Sequence, residues 1–319
     1  MVEILVKKTI DLSNEEKNGL IELFNDIFEK SRTVFEFDNQ YLYNSLGYSY
    51  HVFMIENDKI VGSLSSIPSH YCYKGEKMVF VINVDAMIKK EYRDFFYYHD
   101  MYMAIDDFAK NDGAVLSYSF PNDKSNPLVI KAKIQYTIGQ LYTYMLPYRI
   151  SAVKSNLKSL DFASVSLSWL WIHLISLISR KEVHSFQIKK DDETFNESRY
   201  HRMDANYTIV NKSNSWFAFK IMSFEGKRAA FLIDVKAKSP HNFNKAIRYI
   251  VKNHSSDFDI LLYVGYLPFG GTGLIKVPRK FEPKHFHFAA KIFNKSVVNK
   301  EDVFNICNWD VNLSNTDLI

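Results

Sequence analysis

The chain has 319 residues, 47% of them hydrophobic and 24% charged, with a formal net charge of +4. That length suits one large core or two domains of ordinary size, and the composition excludes a disordered chain. The positive charge is mild and spread along the sequence, so it does not require a nucleic acid or a membrane surface as partner.

Phe (25) and Tyr (20) are plentiful and favour strands, so a sheet-containing fold with a thick core is expected. Cys72 and Cys307 lie far apart without metal-ligand spacing, which predicts free thiols and no metal site. The opening MVEILVKKTIDL lacks the basic start and apolar core of a signal peptide, and a cytoplasmic location is expected.

Residues 3–9 read as a strand. Ser13 with Glu16 makes a capping box, and Leu20, Ile21, Phe24, Ile27 and Phe28 recur at helical spacing, predicting an amphipathic helix over 14–30. Strands over 51–56 and 59–66 flank the turn pair Asn57-Asp58. A second hairpin joins 71–73 to 77–87 through Lys74-Gly75-Glu76. A long helix near 94–110 stops at Asn111-Asp112-Gly113. The strand AVLSYSF (114–120), a short helix near 126–133 and a strand from Tyr136 to Met145 complete the first half. This order predicts an α/β (α+β) mixed sheet with helices on both faces.

The segment ASVSLSWLWIHLISLIS (163–179) carries no charge, but its five serines and a histidine argue against a spanning helix. It reads as a buried or domain-bridging helix. The competing reading is an interfacial helix, with Trp169, Trp171, Arg180 and Lys181 at a headgroup layer. The block KKDDE that follows reads as a solvated loop.

The second half repeats the grammar of the first. SWFAFKIMSF and RAAFLIDVKA are strands around Glu225-Gly226. A helix follows with Ser239 as N-cap and Pro240 at its first position, and DILLYVGYL is a buried strand. Three segments are therefore expected: a domain over 1–150, a connector over 151–205 and a second, smaller domain over 206–319. FGGTG (269–273) lacks a P-loop ending and reads as a flexible hairpin tip. His285 and His287 fall on one strand face, a spacing usable for metal, but no acidic or Cys ligand accompanies them.

From Met78 to Pro147 the run MVFVINVDAMI, the helix KKEYRDFFYYHDMYMAIDDFAKNDG and the strand AVLSYSF form a strand–helix–strand unit. It resembles the acyl-CoA-binding core of the GCN5-related N-acetyltransferase (GNAT) superfamily. The resemblance implies a GNAT-like fold, here as two tandem halves, and acyl-CoA, with acetyl-CoA foremost, as co-substrate. It also implies that a bulged strand lends the backbone of Ala86, Met87 and Ile88 to the pantetheine arm. The next turn would present amides to the pyrophosphate at a helix N-terminus, where free N–H groups and the helix dipole favour an anion. Family members read Arg/Gln-x-x-Gly-x-Gly/Ala there. This chain reads Arg93-Asp94-Phe95-Phe96-Tyr97-Tyr98, so Phe96 and Tyr98 replace the glycine and the small residue, and Asp94 adds negative charge.

SFPNDKSNP (119–127) resembles the Phe-Pro-Asn-x-x-Ser-x-Pro turn of a bacterial GNAT subgroup associated with surface polysaccharides. There Asn126 would contact pantetheine, and Asn122 and Ser125 would contact pantetheine or a sugar. The alternative from the residues alone is a capped turn that starts a helix. The subgroup's Lys-Leu-Gly-Phe-like phrase appears as Lys131-Ala132-Lys133-Ile134, without its glycine. The tail NWDVNLSNTDLI looks like the subgroup's closing strand, with Trp309 and Asp317 matching. Transfer to an amine needs a base and an acid for the leaving thiolate. Asp85, in the central strand, is the base candidate, with a raised pKa expected from burial. The competing reading is a structural hydrogen bond at a strand bulge. Tyr118 and Tyr136 are the acid candidates or simply core and rim packing. The implied activity is N-acylation of an amine, with an amino sugar of surface-polysaccharide biosynthesis as one acceptor. The alternatives are a non-catalytic binding or scaffold protein on the same fold and a tRNA-dependent aminoacyltransferase-like protein.

Overall fold

The computed structural model describes residues 2–200, 202, 206–212 and 215–316. In chain order the strands and helices begin with β1 (Glu3–Lys8), α1 (Asn14–Phe28), α2 (Val34–Tyr41), β2 (Tyr50–Glu56), β3 (Lys59–Tyr73) and β4 (Glu76–Ile88). They continue with α3 (Phe95–Asn111), β5 (Leu116–Ser119), α4 (Asn126–Lys131), β6 (Tyr136–Leu146), α5 (Asp161–Ile178), β7 (Ile188–Lys190) and α6 (Asp192–Tyr200). The remainder are β8 (Thr208–Lys212), β9 (Ser215–Phe224), β10 (Lys227–Val235), α7 (Pro240–His254), β11 (Ile260–Gly265), β12 (Ile275–Lys276), β13 (Phe286–Ile292) and α8 (Lys300–Val303).

The chain divides into two compact units. One comprises Met1–Gln140, Gln187–Ala205 and Phe286–Asp310, the other Leu141–Phe186, Asn206–His285 and Val311–Ile319. The segment 151–205, expected as a connector, is thus shared between the units, and its KKDDE block is not a loop. It holds the last two residues of β7, which pairs with β3, and the start of α6.

In the first unit, β1, β2, β3 and β4 form an antiparallel run. The turns behave as the sequence dictates: Asn57 and Asp58 both take left-handed φ, as does Lys74 beside Gly75. After β4 the chain crosses by α3 and returns as β5, parallel to β4. The strand β13, from far along the sequence, adds antiparallel to β5. Helix α3 buries Met101, Tyr102, Ile105 and Ala109 against Val52, Leu64 and Val81 of the sheet.

The second unit uses the same local order. β9 and β10 form an antiparallel hairpin, α7 crosses over, and β11 returns parallel to β10. Ser239 caps α7 by accepting from Asn242 N, with Pro240 at the first helical position, as expected. Phe243, Ile247 and Ile250 of α7 sit in a core with Phe217, Leu232 and Leu261.

Two readings need correction. Helix α5 is not buried: of its residues only Ser168 and Ile172 are, while Leu167, Leu170, Leu174 and Leu177 are exposed. The tail is not a strand either. Trp309 and Asn312 make isolated bridges, and Leu313–Asn315 form a 3-10 turn capped by Asn312, because a run rich in Asn and Ser satisfies its own amides locally. Asp317 lies outside the described residues.

Candidate active site

The site is built on one irregularity in β4. Ser63 and Ser65 of β3 face Met87 and Val84, so Asp85 and Ala86 together oppose Leu64 alone. This is a β-bulge, and Asp85 takes φ +50° within it, a conformation Asp tolerates better than most residues. The bulge turns the Asp85 carboxylate toward the α1–α2 segment. There Arg32 Nη1 donates at 3.1 Å, Gln40 Nε2 at 3.1 Å and Tyr41 Oη at 2.6 Å. All three reach Oδ2, and among the described residues none bonds Oδ1.

Each donor is held in turn. Arg32 lies over the Phe24 ring at 3.2 Å, and its backbone N–H donates to Asn25 Oδ1 at 2.6 Å. Gln40 and Tyr41 stand in the last turn of α2, whose start is fixed by a capping box between Thr33 and Glu36. Burial, and after it the Asp85 charge, holds the Tyr41 hydroxyl far above its ordinary pKa, so it acts as a donor. Behind Tyr41 lies the fully buried His51, bonded to Thr9 Oγ1 and Ser65 Oγ at 2.9 Å each. Burial, aided by the Lys17 charge, lowers its pKa to about 3, so His51 is neutral. Arg32, Gln40 and Tyr41 were not anticipated. The phrase Thr33-Val-Phe-Glu36 is the capping signal that marks their helix.

Beyond the bulge the two central strands part. β4 and β5 pair only through Phe80–Ile82 against Leu116–Tyr118. From Asn83 to Ile88, β4 stays paired with β3, and no described strand pairs its other edge. Ala86 is exposed there, whereas the Met87 and Ile88 side chains are buried, leaving their backbone as the accessible part. The edge Ala86–Ile88, where the resemblance sets a pantetheine arm, is thus unpaired by any described strand on one side.

The expected pyrophosphate turn has different chemistry. Asp94 is the N-cap of α3, and its carboxylate accepts from Phe96 N at 2.6 Å. The protein's own anion thus occupies the helix N-terminus that a phosphate would need. Arg93 Nε donates to Ile88 O at 3.0 Å, at the end of the splayed edge. Phe95 and Phe96 are exposed, Phe96 to 71%, rather than packed in the core.

In the 119–127 turn, Asn122 Oδ1 accepts from Lys124 N and Ser125 N, and Ser125 Oγ accepts from Asn122 N. Both side chains close the turn, although Ser125, the N-cap of α4, makes no side-chain capping bond to the helix. Asn126 differs: its Oδ1 is buried without a hydrogen-bond partner. Tyr118 is buried, with its hydroxyl 2.8 Å from that of Tyr71 and its ring against Trp309, Phe120 and Phe288. That packing places it in the core. Tyr136 is 54% exposed and meets Phe304 edge-on.

The remaining motifs carry no site. FGGTG links β11 and β12, which both pair with β6, so it is not a hairpin tip. Asn244 ties it down by donating to Gly271 O and accepting from Gly273 N. His287 Nε2 lies 2.8 Å from Asp123 Oδ1, and His285 Nε2 lies 3.1 Å from Arg279 O. Among the described residues no cluster suits a metal ion.

No protein-family model and no curated protein matches the sequence. Solved structures do match. A GCN5-related N-acetyltransferase from Anabaena variabilis superimposes with TM-score 0.58 at 13% identity, over 91% of this chain and 73% of its own. A probable N-acyltransferase of unknown function from Enterococcus faecalis gives TM-score 0.56 at 15% identity, over 92% and 73%. Eis1 from Mycobacterium abscessus gives TM-score 0.55 at 8% identity, over 93% and 75%. The chain therefore has the fold of the GCN5-related N-acetyltransferases, and the likeness takes in both of its halves.

Proposed function

We propose that this chain is an N-acyltransferase that moves an acyl group from an acyl-CoA thioester to an amine. The observation that carries the reading is the combination, on one strand, of the splayed β4 edge and the bulge that presents Asp85. The thioester arm lies along Ala86–Ile88, and Asn126 Oδ1 offers an acceptor to a pantetheine amide. The amine nitrogen attacks the thioester carbonyl and the new C–N bond forms. Asp85 Oδ1, directly or through a water, takes the proton the nitrogen sheds, and the C–S bond breaks. Oδ2, held by Arg32, Gln40 and Tyr41, fixes the carboxylate for that transfer. A thiolate is a far better leaving group than an alkoxide, so it takes its proton from solvent and neither Tyr118 nor Tyr136 is needed as an acid.

The acceptor class is an amine. An amino sugar is the specific candidate, supported only by the likeness of the 119–127 turn to the polysaccharide-associated subgroup. A second reading, a binding protein without turnover, is supported by Asp94, whose carboxylate accepts from Phe96 N at the start of the helix where the resemblance would set a pyrophosphate.

Thermal-shift titration with acetyl-CoA and longer acyl-CoAs, followed by thiol release with an amine panel that includes glucosamine, separates the two. Saturable stabilisation in the high micromolar to millimolar range, with thiol release lost in Asp85→Asn, is the expected result. Binding without release by any amine favours the second reading. No stabilisation by any acyl-CoA at millimolar concentration ends the acyltransferase reading.

A further inference from the structure

Helix α5 carries an apolar surface that its own unit does not cover. One face, centred on Ile172, enters the core with Phe243 and Ile247 of α7. The opposite face holds Leu167, Leu170, Leu174 and Leu177, exposed to 65, 48, 53 and 79%. At 100° per residue these four fall within a single stripe. Phe162 and Trp169 widen it on one side, Trp171 and Ile178 on the other, each exposed to 47% or more. A continuous apolar face of this breadth on a protein surface marks an interaction site.

Charge says what covers it. No Asp, Glu, Lys or Arg occurs from Phe162 to Ser179. Charges then collect at both ends: Lys154 and Lys158 before the helix, Arg180 and Lys181 after it, all exposed. Lys181, with Lys245 and Arg248 of α7, forms a basic group around His241, whose pKa burial and then these three charges depress. The nearby acids are few. Asp161 is bonded to Ser151 N and Oγ, and Glu182 is exposed beyond the helix.

We propose that α5 docks this protein on the surface of a lipid bilayer bearing anionic headgroups. The leucine stripe enters the acyl boundary, Trp169 and Trp171 sit at its shoulders, and the basic residues at both ends meet the headgroups. The helix lies in the plane of the interface and does not span. Its Ile172 face is packed on α7, and Trp171 Nε1 is bonded to Gly273 O at 3.1 Å, so it cannot leave the folded unit. A second copy of the chain is the weaker occupant. A two-helix seam needs only a narrow stripe flanked by charges that set partner and orientation. Here the flanking positions hold Trp171, His173 and Ile178. The proposal stands apart from the acyltransferase reading.

The test uses the full chain with extruded vesicles of phosphatidylcholine alone or with phosphatidylglycerol. Flotation is expected with the anionic vesicles, weakening as salt rises, together with a blue shift of tryptophan emission from Trp169 and Trp171. Leu170→Glu/Leu174→Glu, at exposed positions, is expected to cut binding at least tenfold with unchanged circular dichroism and melting. Arg180→Glu/Lys181→Glu is expected to remove the preference for anionic vesicles. Absence of flotation and blue shift at low salt overturns the proposal. So does undiminished binding by the double-glutamate variant. A wild-type dimer in light scattering that this variant splits, without vesicle binding, overturns it in favour of contact between copies.

Discussion

Asp85 combines backbone strain with a side chain committed at one oxygen and open at the other. The left-handed φ narrows the residues that fit, and Asn shares that tolerance with Asp, so Asp85→Asn tests the chemistry with the bulge retained. It is expected to fold normally and lower kcat by about 10²–10⁴-fold, the range for loss of a general base, as read by thiol release. Tyr41→Phe is expected to cost less, since Arg32 and Gln40 still hold Oδ2. A second left-handed residue, Lys133 at φ +52°, stands where the resembling subgroup has glycine after its short helix. Lys133 is exposed, so Lys133→Gly relieves strain without removing a core contact. It is expected to raise stability by about 0.5–1 kcal/mol in denaturant unfolding.

Among the elements, the contrast between the splayed strand and the capped helix decides how a CoA donor would be held. The β4 edge needs only backbone, which any sequence supplies, whereas the turn before α3 needs free amides, of which Asp94 takes that of Phe96. Asp94→Gly should restore an anion site at little cost, because glycine at an N-cap loses only a few tenths of a kcal/mol. CoA affinity is expected to tighten roughly tenfold by calorimetry, equivalent to about 1.4 kcal/mol, with dephosphorylated pantetheine unaffected. An affinity that is unchanged places the phosphates elsewhere. These elements also show what the sequence makes legible. The hairpin turns, α1, α3 and α7 announce themselves through caps, glycines and regular apolar spacing. Helix α2 went unread because its eight residues include Asp38, Asn39 and Gln40, which blur the apolar period although its capping box is plain. Helix α5 is ambiguous in the sequence for a different reason. Apolar spacing reports that a face avoids water, and says nothing about whether protein or lipid covers it.

At the scale of the whole molecule, the late segment Phe286–Asp310 completes the core of a unit that begins at the N-terminus. Trp309 is 1% exposed, packs on Tyr71, Phe80, Tyr118 and Phe288, and donates Nε1–H to Val303 O at 2.7 Å. Its resemblance to a closing residue is visible in the sequence, but its place among these rings is not, because contacts with Tyr71 and Phe80, more than two hundred residues away, leave no local period. Trp309→Ala is expected to cost about 3–5 kcal/mol in denaturant unfolding. The same segment sends Lys291 from β13 to Asp106 of α3 at 2.9 Å. Asp106 is buried with Oδ1 unpartnered, and burial raises its pKa from an ordinary 3.8 to about 6 even though Lys291 pulls it down. The sign of the consequence runs opposite to that of a salt-bridged surface acid. Because the folded protein holds this proton more tightly than the unfolded chain, the contribution to stability is complete below pH 3.8 and is lost as pH rises through 6. At 1.36 kcal/mol per pH unit the loss is roughly 3 kcal/mol. Asp106→Asn removes this titration from the comparison. The stability of wild type relative to Asp106→Asn is therefore expected to fall between pH 4 and pH 7 and to stay level above it, as followed by urea unfolding. A difference that rises with pH over that interval would mean that Lys291 outweighs burial at this carboxyl.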